Sequence, residues 1–252
     1  MFKKLINLTL TERQREKQRD YQNVVINQII IITLGLTLSE FIINGASTLP
    51  GKFVLTIFLF FGTLYSFLLW DLLRNFTSNQ LLLNTFLVIL IGIVIIGVLG
   101  EFPFYKIIDI KDRQLFYMAL HGPYFPIEIT IIGFAIRDIF SGQYLTSDKL
   151  WGSACVFLMI GLSFGSLYHL LCIIKPDSLG ETMELGFANY SECITYSLSI
   201  LGGMDPGHPN AARIIRNISV LEALWSNLFV VLIIGKLMGL PRPPKPDSES
   251  TD

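Results

Sequence analysis

Ionisable chemistry is scarce in this chain. Charged residues make up 15% of its 252 positions, with three histidines and three cysteines. His121, His169 and His208 fall in three different predicted elements, and no HExxH or GxSxG run occurs. Neither a zinc hydrolase nor a nucleophilic-serine hydrolase can be assembled from such spacing. The chain reads as a non-enzyme that needs no cofactor and no metal. Cys155, Cys172 and Cys193 lack paired metal-ligand spacing, and the first two lie in an apolar stretch where they are expected to pack as small hydrophobes. A net charge of −1 offers nothing to a nucleic acid, and no such partner is expected.

What is present is apolar length. The mean hydropathy is +0.55 and 52% of residues are hydrophobic, values of a polytopic membrane protein with the lipid bilayer as its first partner. Residues 1–21 are polar and basic, without a signal peptide's apolar core, and read as a cytoplasmic segment at the membrane surface. Four apolar spans follow within residues 22–148, at about Val24–Ile43, Phe53–Leu73, Leu81–Leu99 and Leu115–Phe140. The fourth carries His121, Pro123, Pro126 and Glu128 in its first half, so a kink or a delayed helix start is expected there. Residues 149–240 hold two more spans, about Trp151–Ile174 and Ser219–Leu240, with a shorter amphipathic stretch between them. Residues 241–252 are Pro-rich, then acidic, and are expected to be disordered.

Six crossings with both termini cytoplasmic leave more Lys and Arg inside than outside, as the positive-inside bias requires. An intramembrane carboxyl is costly and points by default to function. Glu128, near the middle of the fourth span, is the strongest such candidate, paired with His121 or facing a wet crevice.

The short stretch matters most. A segment of about a dozen residues, Phe187 to Ser199, is too short to cross a bilayer yet lies between two that can, so it is expected to be re-entrant. It runs into Ile200-Leu201-Gly202-Gly203-Met204-Asp205-Pro206 and then a long apolar helix containing Val220-Leu221-Glu222-Ala223-Leu224. This order resembles the pore module of the potassium-channel superfamily: outer helix, pore helix, filter loop, inner helix. Gly202 matches the first filter glycine and Asp205 the filter aspartate. The likeness covers roughly Trp151 to Leu240. Ile200 replaces the filter threonine, Gly203 the aromatic residue and Met204 the second glycine; a one-residue slide would let Ser199 supply the hydroxyl at the expense of the Asp205 match.

The resemblance implies an all-α membrane protein with six transmembrane helices and a re-entrant pore helix and filter loop between the fifth and sixth. It implies a homotetrameric channel in the plasma membrane, passing monovalent cations, potassium and also sodium, through a loop of altered selectivity from Ser199 to Asp205. Glu181 and Glu184 would join Asp205 at an acidic outer mouth. Glu222 would brace the filter, with Arg213 and Arg216 as nearby partners. Ser226 and Asn227 would line the inner cavity, and Gly235 would permit bending near a gate. The four front spans occupy the place of a voltage sensor, but between Leu115 and Phe140 Arg137 is the one Arg or Lys, so no charge ladder exists. A channel-like scaffold that does not conduct and acts as a sensor, or through a regulatory partner, stays open as the alternative.

Overall fold

The computed structural model describes residues 12–37, 48–104, 110–141, 144–182, 185–239 and 241, without the side chains of 13 and 237. Every regular element among these residues is helical. In chain order they are α1 (Glu12–Thr37), α2 (Leu49–Phe76), α3 (Gln80–Glu101), α4 (Arg113–His121), α5 (Tyr124–Phe140), α6 (Ser147–Ile174), α7 (Phe187–Leu201) and α8 (Arg213–Gly239). Residues 1–11 of the basic segment, the tail from 242 and Glu184 lie outside the described residues.

Among the described residues five helical stretches are long and apolar enough to cross a membrane: Leu49–Phe76, Gln80–Glu101, Arg113–Phe140, Ser147–Ile174 and Arg213–Lys236. The chain therefore has the make-up of an integral membrane protein. The first expected span enters residues 38–47, outside the described part, and α1 as described does not reach that standard. The expected disruption of the fourth span is a break. Helix α4 ends as the Gly122 N–H bonds the Met118 carbonyl, and α5 begins after Pro123, which has no N–H to continue the ladder.

Local chemistry sets the other ends. The Thr48 hydroxyl accepts the Gly51 N–H, Pro50 occupies the first turn of α2, and the Asn79 side chain accepts from Leu81 and Leu82 at the start of α3. Helix α6 carries apolar and small residues around its whole circumference and is the most buried of the spanning helices. It packs against α1, α4, α5, α7 and α8, so it is the axis on which the front helices and the C-terminal module meet. An ion pair between Lys17 and Asp138 at 2.5 Å and a bond from Asn75 to Asp20 at 2.7 Å tie the polar start of α1 to α5 and α2.

Candidate functional site

The C-terminal module is built on close backbone approach. At Gly165 of α6 an added Cβ would lie 3.0 Å from the Ile194 Cα, and at Gly161 it would lie 2.9 Å from the Leu198 side chain. Two glycines one helical turn apart thus let α7 settle directly on α6. Helix α7 has 15 residues, about 22 Å at the usual rise. That is short of a hydrocarbon core of about 30 Å.

A three-helix polar lock holds α7 in place. Glu222 of α8 is fully buried, and its Oε2 accepts from the Tyr168 hydroxyl of α6 at 2.7 Å. Its Oε1 is hydrogen-bonded to Ser197 of α7, whose Oγ also lies 2.7 Å from the Gly161 carbonyl. Arg213 and Arg216, the partners expected for Glu222, are exposed, and no ion pair joins them to it among the described residues. Hydroxyls rather than guanidinium groups satisfy the carboxyl. Tyr168 and Ser197 were not singled out from sequence, because their meeting depends on how three helices are rotated about their axes.

The segment after α7 is a helix cap. Gly203 has φ +70°, its N–H bonds the Ile200 carbonyl at 3.0 Å, and the Met204 N–H bonds the Ser199 carbonyl at 2.8 Å. These two bonds form a Schellman motif, with Gly203 in the left-handed position that a side chain would strain. The carbonyls of Ser199 and Ile200 are consumed internally. Those of Leu201, Gly202 and Gly203 have no backbone partner among the described residues. Gly202 has φ −80°, which any residue adopts, so the conformationally demanding glycine is Gly203 and not Gly202. Met204 is 63% exposed, and Asp205, also exposed, accepts the Gly207 N–H at 3.0 Å.

The loop is fastened back to α7 where His208 Nε2 meets Glu192 Oε1 at 3.0 Å. Deeper in, the Ala212 N–H bonds the Ser178 carbonyl at 2.8 Å, joining the segments before and after α7. Glu181 is exposed on the first of these segments. On α8 the buried positions Ile215, Glu222, Ser226, Phe229 and Ile233 form one stripe at heptad-like spacing. Ser226 therefore packs, its hydroxyl bonded to the Glu222 carbonyl at 2.7 Å. Asn227 and Gly235 are exposed on the side turned away from that stripe.

The front helices gather the remaining polar groups. Glu128 is buried at 1% exposure, and its Oε1 accepts from the Tyr65 hydroxyl at 3.3 Å while Oε2 has no hydrogen-bond partner among the described residues. The expected Glu128–His121 pair is not seen among the described residues: Glu128 bonds Tyr65 of α2, and the His121 ring packs on other rings. His121 instead meets His169 of α6 edge to face, ring centres 4.5 Å apart, with Tyr190 of α7 at 4.9 Å from His121 and 5.2 Å from His169. Two histidines from separate elements thus share one site, an encounter the sequence spacing does not signal. The Gly161-x-x-x-Gly165 pattern, by contrast, was readable in the sequence and was missed.

Comparison of the chain with protein-family models, with curated proteins and with solved structures gives no match.

Proposed function

We propose that this chain is the subunit of an oligomeric cation channel of pore-loop design, with both termini cytoplasmic in the plasma membrane. The observation that carries the reading is the Tyr168–Glu222–Ser197 lock, which fixes a helix too short to span between two that are long and apolar enough to do so. Such a half-helix must lie in protein or beside water. The C-terminal end of α7 places its negative dipole end at the loop, where it favours a cation. In a symmetric tetramer the carbonyls of Leu201, Gly202 and Gly203, which have no backbone partner among the described residues, would form rings, whereas those of Ser199 and Ile200 are taken by the helix cap and leave the filter shorter than the resemblance implies. The channel would then pass partly hydrated monovalent cations with weak discrimination between potassium and sodium. Asp205 and Glu181 would gather cations at the entrance.

The test is flux through purified protein in liposomes under imposed gradients of potassium, sodium and a large impermeant cation. Flux of the two small ions, and none of the large one, is the expected result. Strong potassium selectivity would remove the partly hydrated site and restore a family-type filter. Absence of flux for either small ion would remove the channel reading in favour of the non-conducting sensor, which the capped Ser199 and Ile200 carbonyls favour on their own.

A further inference from the structure

A cavity of about 90 Å³ lies where the front helices meet α6 and α7, and its cause can be located. Helix α2 buries Leu55, Phe58, Tyr65 and Leu69 on one face, and Gly62 falls on that same face. A Cβ added at Gly62 would meet nothing within 4 Å among the described residues. Opposite it, Gly97 continues the buried stripe of Leu83, Leu90 and Ile93 on α3 and also lines the cavity. The open space lies at Gly62, while Gly97 lets Leu120 approach to 3.2 Å of where its Cβ would stand.

The lining carries a chemical specification. Neither Lys, Arg, Asp nor Glu contributes to it, so it would strip water from a charged ligand without compensation. Its polar end holds His121, whose ring nitrogens have no hydrogen-bond partner among the described residues, framed by the rings of Tyr124 and Tyr190. Phe58 adds a further ring to the wall. On the α2–α3 side the lining residues Leu59, Val94 and Val98 keep part of their surface exposed. Both helices are long and apolar enough to cross a membrane, so that side faces hydrocarbon.

We propose that this cavity is a binding site for an uncharged, membrane-soluble phenolic amphiphile, which enters between α2 and α3 and donates its hydroxyl to His121. Its ring lies among the aromatic walls, and its tail remains in the bilayer on the open α2–α3 side. Because Tyr190 belongs to α7, the ligand touches the half-helix directly.

Radiolabelled 4-octylphenol is the probe, added to the full chain in lipid nanodiscs with empty nanodiscs as the partition control. Its methyl ether, which keeps the ring and tail but has no O–H to donate, is the comparison ligand. Saturable binding of one phenol per chain is expected, with the ether weaker by about five- to tenfold, the worth of one hydrogen bond. Gly62→Leu should abolish binding of both ligands. His121→Phe should lower phenol binding to the level of the ether and leave the ether unchanged. Equal binding of phenol and ether would overturn the head-group assignment, and unaltered binding in Gly62→Leu would overturn the location. Absence of saturable binding would overturn the site altogether. If Gly62→Leu does not elute as a folded protein, the His121→Phe comparison decides alone. Binding is read without ion flux, so failure here and failure of the channel reading are separate results.

Discussion

A carboxyl group buried between apolar helices is stabilised by partners for its oxygens, because each unmet bond there costs about 1–3 kcal/mol. Glu222 meets that demand through Tyr168 and Ser197, and Ser197 has a single proton with two acceptors in reach, the Gly161 carbonyl and the carboxyl. Gln at position 222 can satisfy the same network: its carbonyl accepts from Tyr168 and its N–H donates to the Ser197 oxygen. Glu222→Gln is therefore expected to keep the thermal midpoint of the wild type in detergent. Tyr168→Phe should lower stability by about 1–3 kcal/mol, and adding Ser197→Ala should cost more than the sum of the single changes, since the second loss strands the group. A Gln variant as unstable as Tyr168→Phe, or strict additivity, would show that the lock is not shared among the three side chains.

At the scale of elements, α7 owes its position to the flat face that Gly161 and Gly165 give α6. Gly165→Ala sets a methyl group 3.0 Å from the Ile194 Cα, a backbone atom that cannot swing aside. Helix α7 must then move away from α6, and overpacking of this kind costs about 1–3 kcal/mol. The variant should be less stable in thermal unfolding, whereas Gly235→Ala, where a Cβ meets nothing within 4 Å among the described residues, should not be. Equal effects from the two would mean that α6 and α7 adjust freely. Much of this layer was legible beforehand: the apolar lengths located the helices, Pro123 marked the break, and brevity singled out α7. The cap after Leu201 was not. A Gly-Gly pair following a helix suits a Schellman motif as well as it suits a filter, and the family likeness drew attention to Gly202 when the positive φ falls on Gly203. The meeting of His121 with His169 was also hidden, because hydropathy gives a helix its length and not its rotation about the bundle.

For the whole molecule, the informative feature is how little of α8 a single chain covers. One stripe from Ile215 to Ile233 is buried, while Val220, Leu224, Leu228 and Val231 are exposed with Asn227 among them. Lipid can cover the apolar side chains at no cost, but it leaves the Asn227 amide without partners, which is unfavourable at that depth. A second copy of the chain or a water-filled axis removes that cost, and a tetramer supplies both. Replacing the three buried cysteines by Ala and introducing Asn227→Cys places one thiol per subunit on this face. If the face surrounds an axis, a short bis-maleimide should yield covalent dimers, and reagent applied from the aqueous phase should label the thiol before crosslinking. Dimers without aqueous labelling would mean a dry helix interface and no conducting path at this depth. A thiol that neither crosslinks nor reacts would put Asn227 against lipid and remove the oligomeric pore, because the cavity-lining role rests on this one amide exposed between Val220 and Val231.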